Sequence, residues 1–424
     1  VAMSCALGKR PLPRASRVAE SASNVSTRNR RGAVTPSLYR LGVAACALVC
    51  AWGCKRAPPP PVARPAIPIA IANAAYITNN GSDTVSVIDR AGTRVLSVSL
   101  DIDPDAHEAP HHLALDREAG ALFVALAFPA PVVSSKKNPH ASHGNAENQG
   151  KLARLDLATL AVTTTRDVDA NPGDVALTHD RTRVLVTHFD MKRAMEVAMA
   201  GGPTGEMFAT LQVWRASDLH LFASRRLCVA PHGVVTTQDD RTAVVACYGS
   251  DEIALVDLTS LSLPSSRYPL GSAPGPPGAP RYGPYSAVLS PDEAQAAVAN
   301  LEGASVRMFD MRTRHFGPEI ALGARAFMPA FVDRATLIVP LQAPDGLARV
   351  DVDAARVESR APVDPSACVS PHVVRVAKDG RAYVVCEGDH THPGSVIAID
   401  PLSLAVRQVW TVGVYPDGIA FGSD

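Results

Sequence analysis

Pro110-His-His-Leu-Ala-Leu-Asp-Arg-Glu-Ala-Gly-Ala-Leu-Phe-Val-Ala-Leu126 reads as two short apolar strands joined by a polar turn. The same phrase starts again at Pro172 (to His188), Pro231 (to Cys247), Pro284 (to Asn300), Pro329 (to Leu341) and Pro371 (to Cys386). A last half-copy, Pro416 to Asp424, holds one strand only. Each hairpin is followed by alternating apolar residues that end in Asp: Val85–Asp89, Leu152–Asp156, Ile253–Asp257, Val306–Asp310, Leu347–Asp351 and Val396–Asp400. A seventh copy, Leu211-Gln-Val-Trp-Arg215, ends in Arg. Period-two alternation means half-buried antiparallel strands. Asp at a strand end suits a turn, because its carboxylate caps nearby backbone N–H groups.

Each unit therefore holds four strands and recurs every roughly 42–67 residues, the pattern of a β-propeller blade. Ala75–Asn79, Thr84–Asp89 and Arg94–Leu100 supply three strands without a first one, and Pro416–Asp424 supplies a first strand alone. Joined, they close the ring and remove its open edges. The predicted fold is all-β: a seven-bladed propeller of four-stranded antiparallel blades over residues 71–424, closed by N-terminal strands plus the C-terminal strand. Hydrophobic residues are 46% of the chain and aromatics 5%, so the core is built from Val, Ala, Leu and Ile. Forty-one Lys and Arg balance 41 Asp and Glu, which argues against a nucleic-acid binder driven by bulk positive charge.

One copy carries a more specific likeness. Tyr76-Ile-Thr-Asn-Asn-Gly-Ser-Asp-Thr-Val-Ser-Val-Ile-Asp89 is very similar to the repeat of bacterial YVTN-type seven-bladed propellers, and weaker copies extend over about residues 70–424. The resemblance implies a secreted or surface-attached binding module. It also implies two other uses of such rings, as lactonases and as holders of haem or copper.

In a blade of this topology, the loops after the second and fourth strands share one face. Phe128–Gly150, Asp190–Thr210, Glu387–Gly394 and the Pro/Gly-rich Gly271–Gly283 all fall there. Loops of that length are often functional. His107, His111, His140, His143, His188, His232, His372, His390 and His392 map to the same face or its rim, and His179, His220 and His315 to the other. His111, His232 and His372 each follow the Pro that opens a first strand, in the first, third and sixth blades. Neutral imidazoles converging there would bind Zn or Cu. The structural alternative is that each packs on its own Pro and bonds a loop carbonyl. A polar or anionic ligand on His111, His188, His232 and His372 is a third reading. The loop clusters His140/His143 and His390/His392 read as solvated. Glu108, Asp174 and Asp417 lie at first-strand starts and read as turn residues.

Cys228-Val-Ala-Pro-His232 with Cys247, and Cys368-Val-Ser-Pro-His372 with Cys386, are two matching frames. They read as two disulfides in an oxidising compartment, each closing a loop of about 20 residues. Residues 1–54 read as a leader. Its apolar run from Leu41 to Gly53, about 13 residues, is too short for a spanning helix, which needs roughly 20, and suits a signal h-region. The run ends at Cys54, which resembles a lipoprotein acceptor. Residues 55–70 form a Pro-rich tether, and Lys55 after the Cys implies outer-membrane sorting.

No Gly-x-Ser-x-Gly, phosphate loop or dinucleotide fingerprint is present. The expected protein is an exported, lipid-anchored monomer. It is read as a non-enzymatic module that binds a protein or small molecule on its loop-rich face. A metal-binding or redox-linked periplasmic protein and a lactonase-like hydrolase are the alternatives.

Overall fold

Seven separate antiparallel sheets stand around a common axis in the computed structural model, which describes residues 69, 71–100, 102–129 and 144–421. The leader, Cys54, the tether up to Pro68, His140 and His143 lie outside the described residues. Numbered along the chain, the blades span residues 110–168, 172–229, 231–269, 284–321, 325–362 and 371–414; the seventh joins residues 74–99 to 416–421. Ring closure occurs where the repeats predict it. Pro416–Phe421 pairs with Ala74–Asn79, with Tyr76 opposite Ala420 and Ile77 opposite Ile419.

Third strands end as their sequence demands. Asp89, Asp156, Asp257, Asp310, Asp351 and Asp400 each accept a backbone N–H from the turn that follows. In the second blade Arg215 pairs instead with Asp218, which itself caps His220 N. Core between blades is aliphatic: Val, Leu, Ile and Ala dominate every buried cluster. Such small, branched side chains suit closely packed, twisted sheets.

Inner strands carry a feature that period-two reasoning does not foresee. In every blade four inner-strand residues lie opposite three of the neighbouring strand. Pro110 faces Leu126 while Ala114 faces Phe123; the offset recurs at Pro172, Pro231, Pro284, Pro371 and Pro416. This is a β-bulge, which leaves one residue unpaired and re-aims side chains. The residue before each of these prolines has φ between +48° and +57°, and only Gly283 among them is a glycine. Such a backbone costs of order 1 kcal/mol per non-glycine residue.

Blade 5 departs from the predicted alignment. Its register places Ala326, not Pro329, at the inner-strand start, opposite Leu341. Pro329 has no N–H to donate, and the strand is split around it into Arg325–Ala326 and Ala330–Phe331. Met328 bonds the sixth blade instead: its N–H donates to His372 O, and Val374 N donates to Met328 O.

The loop after the second strand of blade 2 holds an element not predicted, helix α1 (Met191–Met199). Asp190 caps it by accepting from Arg193 N (3.2 Å), and the chain leaves it through Gly201 at φ +68°.

Candidate metal centre in the axial channel

The bulge decides what enters the channel. The two residues after the inner-strand start become His111 and His112 in blade 1, Gly173 and Asp174 in blade 2, and His232 and Gly233 in blade 3. They are Tyr285 and Ser286 in blade 4, Phe327 and Met328 in blade 5, His372 and Val373 in blade 6, and Asp417 and Gly418 in blade 7. Most of these side chains face the axis or pack against it. A Cβ on Gly233 would lie 2.6 Å from Ser286 Cα, so glycine is what permits that approach of inner strands.

Second-strand threonines pin the inner backbone. Thr187 accepts from Asp174 N and donates to the His232 carbonyl of the next blade. Thr78 does the same between Gly418 N and the His111 carbonyl. Ser286 performs the analogous job on the Phe327 carbonyl (3.0 Å).

Among the described residues, two groups of ligating side chains result. One ring nitrogen of each of His111, His112 and His232 lies within 4.8 Å of the others, and all three residues are 2% exposed or less. His232 Nδ1 donates to the Tyr285 carbonyl (3.1 Å), which leaves the lone pair on Nε2. His111 Nδ1 meets the Asp417 carboxylate, which orients its ring in the same sense. His112 Nδ1 lies 3.7 Å from Asp174, and its buried Nε2 makes no hydrogen bond among the described residues. Burial, and then neighbouring His111, hold His112 well below the ordinary imidazole range, so this ring is neutral at neutral pH.

The second group is His372 with Glu387 (3.3 Å) and Asp417 (3.1 Å). Burial opposes charge on His372, but Glu387 and then Asp417 outweigh it and push the imidazole up to about 9. Burial likewise opposes charge on Asp417, and His111 with His372 overcome it, holding this carboxyl well below the usual range. Asp417 thus joins both groups. Tyr285 stacks on His232 at 3.9 Å between ring centroids, and Phe189 and Phe327 meet His232 and His372 edge-on at 5.2 and 5.1 Å. This aromatic collar makes the surroundings apolar, which strengthens every interaction inside.

Of the residues predicted from sequence, His111 and His232 are brought together, and His372 sits beside them among carboxylates. His188 is placed elsewhere: its Nδ1 donates to the Thr210 carbonyl (3.0 Å) within its own blade. Glu108 has the predicted turn role, accepting from Ile102 N and Asp103 N. Asp417 does not; it is a channel residue. Asp174 accepts Val175 N and Val234 N inside the channel. His390 is not solvated as read: it stacks on Tyr415 at 3.6 Å and bonds Glu387 (3.1 Å). His392 is exposed and pairs with Asp389. His112, Glu387 and Tyr285 were not singled out by the sequence reading. Comparing the two post-start positions across all blades would have exposed His112 and Tyr285.

Both predicted cysteine pairs are bonded, Cys228–Cys247 and Cys368–Cys386, with Cα separations of 5.9 and 5.2 Å. Cys247 and Cys386 lie opposite Pro231 and Pro371, so each bridge clamps the start of an inner strand that carries a channel histidine. The first also ties the outer strand of blade 2 to blade 3. Two such bridges suggest an oxidising, exported location.

No family model matches the sequence, and no curated protein matches it. Solved structures do share the fold. A periplasmic gluconolactonase from Pseudomonas aeruginosa is 18% identical with a TM-score of 0.59, over 82% of this chain and 98% of that one. A functionally unknown protein from Desulfotomaculum acetoxidans is 11% identical with a TM-score of 0.56, over 82% and 99%. Hydrazine synthase from Kuenenia stuttgartiensis is 15% identical with a TM-score of 0.53, over 73% and 88%. At these identities the likeness establishes the seven-bladed architecture, and the side chains that fill the channel speak for this chain alone.

Proposed function

We propose that the chain is an exported metal-binding propeller whose channel holds one divalent transition-metal ion on His111, His112 and His232. The observation that carries this reading is the convergence of three buried imidazoles within 4.8 Å on the axis. Imidazole donors suit Zn or Cu. The Asp417–His111 and Tyr285–His232 contacts are the outer partners that such ligands use. His372, Glu387 and Asp417 add a charged network next to the ion, able to hold a proton beside it. This moves the working site from the surface of the loop-rich face, where a non-enzymatic module would present it, to the buried axis beneath.

Metal analysis after export and purification tests the reading. About one equivalent of Zn or Cu is expected. The H111A/H112A/H232A variant should hold less than about 0.1 equivalent, while H188A keeps the full amount. A wild-type protein that takes up neither metal on incubation overturns the proposal. A second reading, lactone hydrolysis, draws on the gluconolactonase among the fold neighbours. Its test is a screen of sugar lactones with metal-loaded protein, and turnover no greater than that of the triple variant rejects it. Lipid anchoring at Cys54 is proposed with it and is checked by mass spectrometry of the mature N-terminus.

A further inference from the structure

The opposite end of the channel differs from the histidine end. It opens between the turns that join first and second strands, as a funnel of about 470 Å³. That is within the roughly 300–1,000 Å³ typical of small-molecule sites. Its wall includes Asp174, Thr236, Ser286, Met328, Phe331 and Arg375.

Arg375 is the anomaly. It lies four residues beyond the inner-strand start, opposite Tyr383. The register gives the matching residue in every other blade: Ala114, Ala176, Val235, Val288, Ala330 and Ala420. Six blades therefore fill this place with a small apolar side chain, and one with a guanidinium. Nothing in blade architecture asks for the charge.

Arg375 also lacks a compensating partner among the described residues. It makes one hydrogen bond, from Nη1 to the neighbouring Val374 carbonyl (3.0 Å), out of five possible donors. The charge of Asp174 acts on it, but the two form no ion pair. Both Asp174 oxygens already accept backbone N–H groups, from Val175 and Val234. Three other polar residues of the wall are engaged: Glu293, the second carboxylate there, accepts from Gln238 N, and two hydroxyls have partners of their own. Ser286 donates to Phe327 O, and Thr236 donates to Asp240. Arg375 is only partly open to the funnel and otherwise crowded by protein, and a half-buried cation with no direct ion pair is costly. Its fork geometry matches carboxylate and phosphate oxygens.

We propose that this funnel is a binding site for a small organic anion, a carboxylate or a phosphate ester, gripped by Arg375. The apolar part of the wall, Met328 and Phe331, would receive the body of the ligand. None of the proposed metal ligands His111, His112 and His232 lines the funnel.

Titration calorimetry with inorganic phosphate and with succinate tests it. Saturable binding of at least one is expected, and R375A should weaken it at least roughly tenfold. Whichever probe binds identifies the oxyanion. R375A should fold, since it copies the Ala of four other blades, and its melting temperature checks this. R375K, which keeps the charge and loses the fork, should bind less tightly than wild type. The H111A/H232A variant should keep wild-type anion affinity. Absence of saturable binding by both probes, or equal binding by R375A, overturns the proposal. So does binding that H111A/H232A loses and R375A keeps, which would place the anion on the metal.

Discussion

Third strands and inner strands of the same blades meet different physical constraints. Third strands end in Asp in six of seven blades, and each Asp does the same local job, capping the turn that follows. Six of the seven inner strands share a Pro start preceded by a residue at positive φ, all seven share the bulge, and then they diverge. The two positions after the start are His-His, Gly-Asp, His-Gly, Tyr-Ser, Phe-Met, His-Val and Asp-Gly. A turn needs the same residue wherever it occurs. Seven strands meeting on one axis give each blade a different set of neighbours, so repetition there would produce clashes or stacked like charges. Divergence within a repeat therefore marks where chemistry is placed, and uniformity marks where the blade is built.

The largest break in this comparison comes from the inner strand that closes the ring. Truncation after Tyr415 removes Pro416–Phe421 and should abolish cooperative unfolding, read by near-UV circular dichroism during thermal melting. A truncated protein that melts cooperatively at the wild-type temperature would contradict the closure. Next is the clamp on inner-strand starts. Replacing Cys228 and Cys247 by Ala should cost roughly 3 kcal/mol in denaturant unfolding. The cost should fall mainly on blades 2 and 3, which hydrogen exchange can localise. Uniform loss of protection around the ring would argue against a local clamp.

A smaller effect should appear with pH. His372 is held charged up to about 9 against an ordinary value of 6.5. Its contribution is whole below 6.5 and is lost as pH rises through 9, so chelator-treated protein should melt lower at pH 10 than at pH 7. An H372Q variant should lose that dependence; if it keeps it, another group is responsible. The smallest change is expected at a third-strand cap. D310A removes the acceptor for Arg312 N and Thr313 N in a solvated turn. Its melting temperature should fall less than that of the disulfide variant, with metal content unchanged.

Legibility in the sequence followed the same division. Blade count, ring closure and both disulfides could be read because Pro starts, Asp caps and Cys frames are local signals with fixed spacing. Blade 5 misled, since Pro329 imitates a strand start while the register begins at Ala326. His112 was overlooked for a definite reason. Strict alternation sends adjacent residues to opposite sides of a strand, and only the bulge lets His111 and His112 both reach the axis. Glu387 follows a second strand rather than opening a first, and nothing in its own segment ties it to His372.

By itself, the sequence determined seven sheets, the order in which they close and the oxidised cysteine pairs, because Pro starts, Asp caps and Cys frames are local phrases that can be matched from copy to copy. Tertiary structure alone decided that Asp417 joins His111 to His372, that His188 stays in its blade, and that Arg375 stands in a funnel with no ion pair among the described residues. Those relations link residues tens to hundreds of positions apart. They arise from how inner strands converge, which no single repeat encodes.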